Sequence, residues 1–225
     1  MKVIAYVCQK GGTGKTTLAA NHAVEASASG LQTYVVDMDP QASICRWYDF
    51  RDAKENLSVT DVQPNKLPDA INAARELGVD VVIIDTAGRT EQAAKMAAQL
   101  ADLVVIPMQP SIADLSTLEA TTKLLDVAGT TRRVAGLTRA KPYGTRLADM
   151  RRYLEDQGVP VASVTIGDRV GFQDAFALGL GIQELDPTGK GAEETRELYK
   201  YISIALENAT TKGARREAGS DRKTA

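Results

Sequence analysis

The chain has 225 residues, with 27 lysines and arginines against 29 aspartates and glutamates and a formal net charge of −2. That length suits one α/β domain with core enough to need no disulfide or metal staple. The near-neutral balance excludes a globally basic nucleic-acid binder, so any DNA contact must come from a local patch. Taken in chain order, short apolar runs alternate with longer helical patterns. A strand is expected at 3–8, a helix at 15–29 stopped by Gly30, and a strand at 33–36. A helix at 68–77 ends at Gly78 and leads to a strand at 79–84. Then come a helix at 91–100, a strand at 103–107, a helix at 111–127, a strand at 134–137, a helix at 145–157 and a strand at 161–166. The last helix, 191–208, lines up Ala192, Thr195, Leu198, Tyr199, Ile202, Ala205 and Leu206 on one stripe. Strand runs without polar alternation belong to a parallel sheet covered on both faces. The expectation is therefore a doubly wound, mostly parallel α/β fold that binds ligands at the carboxyl ends of its strands.

Between the first strand and the first helix stands Lys10-Gly11-Gly12-Thr13-Gly14-Lys15-Thr16-Thr17. Glycines let such a loop turn its backbone N–H groups inward on phosphate oxygens, and the helix that follows adds its dipole. Lys15 then supplies a cation for the β- and γ-phosphates, and the Thr16 hydroxyl suits a Mg²⁺ ligand. The plain phosphate-loop pattern has glycine where this chain has Gln9, and Lys10 is a second departure from it.

Acidic residues fall at the ends of the expected strands. Asp85 closes Val81-Val82-Ile83-Ile84 and occupies the Walker B position, which holds Mg²⁺ directly or through water. Asp37 and Asp39 close the second strand two residues apart. They either organise Mg²⁺ waters and the attacking water, or cap the following segment. Gly88 is either a backbone donor to the γ-phosphate or a turn glycine. No Ser-His-Asp or Cys-His set competes, and the only histidine, His22, lies inside the first helix in a structural or surface role. Cys8 and Cys45 have no metal-type spacing and read as small hydrophobes in a reducing compartment. No leader is expected ahead of the first strand and no apolar run is long enough to span a bilayer, so a cytoplasmic protein is expected.

In these residues and their order the chain resembles the deviant Walker-type partition ATPases of the ParA/MinD superfamily. The resemblance rests on residues 10–17, on Asp37-Met38-Asp39-Pro40-Gln41, on Ile83-Ile84-Asp85-Thr86-Ala87-Gly88 and on Ile106-Pro107-Met108-Gln109-Pro110-Ser111. A weaker match runs from Asp186 to Ala192. The resemblance implies a P-loop NTPase domain of the SIMIBI type over residues 1–208, with a polar tail over 209–225. It implies Mg²⁺-dependent hydrolysis of ATP to ADP by a homodimer that closes on ATP. Lys10 is then the signature lysine reaching to the partner's nucleotide, beside Lys15 and Thr16 on phosphate and Mg²⁺. Thr17 serves the α-phosphate, Asp39 positions the hydrolytic water and Asp85 is the Walker B acid. Pro107, Met108 and Gln109 border the adenine. Thr86-Ala87-Gly88-Arg89 departs from the Pro-rich switch of many relatives.

Small partition ATPases of this kind bind DNA without sequence preference, associate with the nucleoid and act with a small centromere-binding adaptor that stimulates hydrolysis. Basic residues here crowd at Arg132, Arg133, Arg139, Lys141, Arg146, Arg151 and Arg152, and stand near the last helix as Lys190, Arg196 and Lys200. Arg169, Lys190 and Arg196 are the expected DNA contacts by resemblance; a solvated face is the other reading. A plasmid is the favoured cargo, with a chromosome or a protein compartment open. A membrane regulator of the MinD kind requires an amphipathic C-terminal helix, which the polar residues 210–225 lack. A P-loop metabolic enzyme requires a substrate constellation that is not seen.

Overall fold

The computed structural model describes residues 1–220 apart from Arg89, Thr131 and 142–144. The side chains of Ile112, Ala113, Leu115, Ser116 and 209–220 are also left undescribed. In chain order the elements are β1 (Lys2–Tyr6), α1 (Lys15–Ala28), β2 (Thr33–Asp37), α2 (Ser43–Asp49), β3 (Leu57–Asp61), α3 (Leu67–Glu76), β4 (Val81–Asp85) and α4 (Glu91–Leu100). They continue as β5 (Leu103–Met108), α5 (Ile112–Val127), β6 (Arg133–Ala140), α6 (Arg146–Asp156), β7 (Val161–Gly167), α7 (Gly171–Ala177), α8 (Ile182–Leu185) and α9 (Lys190–Ser220).

The strands form one seven-stranded sheet in the order β3-β2-β4-β1-β5-β6-β7, with every pairing parallel. Strand alternation divides its apolar side chains between two cores. Val3, Ala5 and Val7 join Val82, Ile84, Ile106 and the inner faces of α3 to α6. Ile4 and Tyr6 join Ile83, Val105 and the inner faces of α1, α2, α7, α8 and α9. This two-sided burial is why the strands read as unbroken apolar runs. The chain reverses its winding at β1, which pairs with β4 on one side and β5 on the other. Register then sets Tyr6 beside Asp85 and Asp85 beside Asp37, so that the strand-end acids stand at the crevice where such sheets bind ligands.

Apart from the C-terminal end of the last helix, the expected elements agree with these to within a few residues, and four others were not anticipated. β3 is an edge strand in which Leu57 is buried, Val59 half-buried, and Ser58, Thr60 and Asp61 exposed, which leaves no apolar run to read. α2, α7 and α8 are short helices held by contacts distant in sequence. The N-terminal N–H groups of α2, from Ile44 and Cys45, donate to Asp37 Oδ2 at 3.1 and 3.2 Å. The buried Arg51 guanidinium then pairs with Glu184 of α8 at 2.7 and 2.6 Å and lies 5.5 Å from the Trp47 ring centroid. Gly179, at φ +71, is confined to glycine because a Cβ would fall 2.6 Å from Arg51 N.

α9 buries Ala192, Thr195, Leu198, Ile202 and Leu206, the expected stripe, and continues past the expected end at 208 to Ser220. Of the polar stretch 210–225, residues 221–225 lie outside the described residues, as does Arg89. His22 is structural: its Nδ1 bonds the Tyr6 hydroxyl at 2.7 Å and its ring stands edge-on to Tyr199 at 5.1 Å. Burial holds its imidazolium pKa down at about 4, so it is neutral in the folded chain.

Candidate active site

The loop from β1 to α1 takes left-handed backbone at Gly12 (φ +78) and Gly14 (φ +97), which glycine adopts without a Cβ clash. Gly14 is the N-cap of α1 and no side chain caps that end, so its first N–H groups face the loop's hollow. Other strand ends brace the loop. Thr138 Oγ1 donates to Thr13 O at 2.8 Å and Gln109 Nε2 donates to Gly12 O at 2.7 Å. The Lys15 side chain is buried beneath, and its Nζ donates to Lys10 O at 2.9 Å. Gly11, Gly12, Gly14, Lys15, Thr16, Thr17, Asp39, Gln41, Ser43, Ala87, Gly88 and Arg139 line one cleft of about 480 Å³.

Gly88 has a third reason to be glycine, beyond the two read from sequence. A Cβ there would meet Gly11 N at 2.8 Å and the Lys10 carbonyl carbon at 2.9 Å, both backbone atoms. The turn after β4 therefore lies flat against the loop. Gly88→Ala is expected to weaken ATP at least about tenfold, about 1.4 kcal/mol. Equilibrium titration with a fluorescent ATP analogue checks this, and unchanged affinity counts against the close approach.

The acids divide into different roles. Asp37, 1% exposed, accepts N–H groups from Asp39, Ile44 and Cys45, so its carboxylate holds the segment that carries Asp39. Burial raises its pKa and those three bonds partly oppose the rise. Asp39 reaches the cleft and accepts Gln41 N–H at 2.9 Å. Asp85 is fully buried, and its carboxylate oxygens have no hydrogen bond of normal geometry, although the Thr16 hydroxyl lies near enough to act on the carboxylate. Burial pushes its pKa up to about 7; the Thr16 hydroxyl and the Lys15 charge lower it, and Asp37 raises it. A buried carboxylate with no hydrogen bond of normal geometry, beside a threonine hydroxyl, fits a Mg²⁺ ion or its water shell. No group of three or more His, Cys, Asp or Glu among the described residues would hold a metal alone. Such an ion therefore needs phosphate oxygens to complete its shell.

The raised Asp85 pKa has a stability consequence. With about 7 in the folded chain against 3.8 unfolded, the folded state binds the proton more tightly. The stability this contributes is present at low pH and is lost as pH rises from about 4 to about 7. His22 acts in the opposite sense between about 4 and 6.5, so the wild-type profile mixes the two. The difference between Asp85→Asn and wild type isolates the carboxylate. Without nucleotide the variant's advantage over wild type is expected to be clearly smaller at pH 5 than at pH 8, because the loss, about 1.4 kcal/mol per pH unit, runs from about 4 to about 7. Denaturant unfolding at both pH values measures this, and a constant difference refutes it.

Other expected site residues are placed differently. Pro107 and Met108 are buried in β5, and Met108 belongs to the core, so Gln109 alone of these three reaches the loop by its side chain. Lys10 forms an ion pair with Asp114 of α5. Thr17 borders a narrow second hollow with Leu18, Thr138, Arg139, Ile166, Arg169 and Phe172. The three expected DNA contacts are each engaged within the chain: Arg169 with Glu194 at 2.7 Å, Lys190 with Glu193 at 2.8 Å and Arg196 with Glu25 at 3.8 Å. Arg133 pairs with Asp126, and Arg151 donates to Ala162 O, Ser163 O and Thr165 Oγ1. Arg139, Lys141, Arg146 and Arg152 are exposed, with no ion pair among the described residues.

Sequence reasoning missed Asp114, Thr138 and the place of Arg139 in the cleft. Asp114 stands in the first turn of a helix, where an acid is ordinary. Thr138 and Arg139 end a strand with no motif around them.

Residues 4–182 match the family model described as the CobQ/CobB/MinD/ParA nucleotide binding domain. The chain belongs to this family. It is 32% identical over 210 residues to the maintenance of carboxysome distribution protein A of Gloeobacter kilaueensis, covering 92% of this chain and 94% of that protein. It is 28% identical to the chromosome-partitioning ATPase Soj of Treponema pallidum, over 89% and 96% of the two chains. The MinC:MinD cell division protein complex of Aquifex aeolicus contains a chain of the same fold, with TM-score 0.77 at 14% identity over 90% of this chain and 96% of that one. The α/β architecture and the nucleotide-binding family expected from sequence are both borne out.

Proposed function

We propose that the chain is an ATP-driven positioning switch: a Mg²⁺-dependent ATPase whose ATP form is a homodimer and whose hydrolysis reopens it. The observation that carries this reading is the convergence of Lys15, Thr16 and Asp39 on one cleft, together with a buried Asp85 carboxylate that has no hydrogen bond of normal geometry. Phosphoryl transfer needs positioning and charge neutralisation more than covalent chemistry. The loop N–H groups and the N-terminus of α1 bind phosphate oxygens, and Lys15 exchanges the Lys10 carbonyl for a phosphate. Thr16 and Asp85 would hold Mg²⁺, which neutralises charge on the phosphates. Asp39 accepts a hydrogen bond from the attacking water and orients it.

The expectation of a DNA matrix keeps its support in Arg139, Lys141, Arg146 and Arg152, rather than in the paired Arg169, Lys190 and Arg196. If these contact phosphates, log Kd should rise with log salt by about 0.9 per contact. The relative named for carboxysome distribution matches nearly its whole length, which supports a protein compartment as cargo beside the expected plasmid. A separate adaptor would link the cargo to the dimer and stimulate hydrolysis. Among the described residues no helix is long and apolar enough to cross a membrane, and a cytoplasmic, nucleoid-associated location follows from the same reading. Sedimentation with ATP and with ADP, with and without DNA, tests it. An ATP-specific dimer that retains DNA is expected, and equal behaviour with both nucleotides overturns the reading.

A further inference from the structure

We infer that Asp114 is a positioning residue for Lys10: it holds the lysine within its own chain when no nucleotide is bound, and the dimer forms as that ion pair opens. This rests on the proposed ATP homodimer in which Lys10 serves the partner's nucleotide. Asp114 lies in the first turn of α5 and its side chain is 2% exposed. One carboxylate oxygen takes the Lys10 ammonium, and the other accepts Gln109 N–H at 2.6 Å. The same Gln109 ties its side chain to Gly12 O, so the turn that fixes Asp114 also grips the phosphate loop.

The environment separates this pair from the exposed ones. Lys190–Glu193 has both partners more than half exposed and belongs to the class of surface pairs that contribute little. Asp114 is buried, and a buried carboxylate deprived of its cation is strongly disfavoured. Lys10 is one-third exposed, so it alone can leave without opening the core. A second contact links its departure to nucleotide. The Lys10 carbonyl is the acceptor that occupies Lys15 Nζ, so Lys10 is held at its backbone by Lys15 and at its side chain by Asp114. A phosphate that draws Lys15 away leaves Lys10 O with only the long 3.5 Å bond from Thr13 Oγ1, which loosens the Lys10 peptide and with it the hold on its side chain. When the competent state is a minor one, apparent affinity falls by its population, so removing the latch should tighten the dimer.

The test is the dimerisation constant at saturating ATP, by sedimentation equilibrium, for wild type, Lys10→Ala, Asp114→Asn and the double variant. Saturation removes any change in nucleotide affinity from the comparison. Asp114→Asn should dimerise at about tenfold lower protein concentration than wild type, and Lys10→Ala should abolish both the dimer and the gain. Wild type dimerising while Asp114→Asn is equal or weaker overturns the latch alone. Absence of a wild-type dimer overturns the homodimer reading and the latch with it. Should Asp114→Asn not fold, competitive acetylation of the nucleotide-free wild type decides. Lys10 should label several-fold more slowly than the exposed Lys141, and equal rates overturn the latch.

Discussion

Lys15→Ala is expected to abolish ATP-dependent dimerisation and to lower kcat/KM by about 10³-fold, roughly 4 kcal/mol of transition-state stabilisation. Lys15 is buried and, of the loop's two lysines, is the one that lines the cleft. Its present partner is a neutral backbone carbonyl at 2.9 Å, which a charged phosphate oxygen displaces readily. Removing the ammonium also removes the charge that lowers the Asp85 pKa, so the variant should hold Mg²⁺-nucleotide poorly as well as react slowly. Equilibrium binding and steady-state hydrolysis separate the two effects. A variant that still dimerised with ATP would sink the proposed switch.

Asp39→Ala should do the reverse: retain ATP and the dimer while turnover falls by about 10²- to 10⁴-fold. Asp39 reaches the cleft from a segment held independently of it, because Asp37 carries the bonds to Asp39 N, Ile44 N and Cys45 N. Deleting the Asp39 carboxylate costs the Gln41 N–H bond, so Asp39→Asn, whose amide oxygen can accept that bond, controls for the turn. Both variants should accumulate dimer with ATP, measured by sedimentation beside phosphate release. Normal turnover in Asp39→Asn would show that the water is oriented elsewhere.

The two acids at the end of β2, Asp37 as its last residue and Asp39 two beyond, illustrate how far the sequence can be read. Their spacing and position marked both as site residues, and both lie at the ligand edge of the sheet. What spacing could not assign was their division of labour. Asp37 turns inward to the N-terminus of α2, a helix of seven residues whose cap comes from the strand before it. Short helices of this kind have too few turns to show a period, and α7 and α8 escaped notice for the same reason. β3 escaped because an edge strand with one exposed face and few apolar residues carries no continuous signal.

The sequence by itself determined the class of the fold and the place of the phosphate loop. Both depend on local chemistry: apolar runs long enough for buried strands, and glycines and lysines at fixed spacing between a strand and a helix. It also placed Asp85 and Asp39, because a strand's end is local too. Only the tertiary structure decided which groups those residues meet. Lys10 meets Asp114 across 104 positions of sequence, Thr138 reaches Thr13 across 125, and Gly88 lies flat on Gly11. Such contacts arise where parallel strands bring distant segments to one edge, and no local pattern records them. The same is true of Arg169, Lys190 and Arg196, whose positive charge is legible in the sequence but whose partnering glutamates are set by packing.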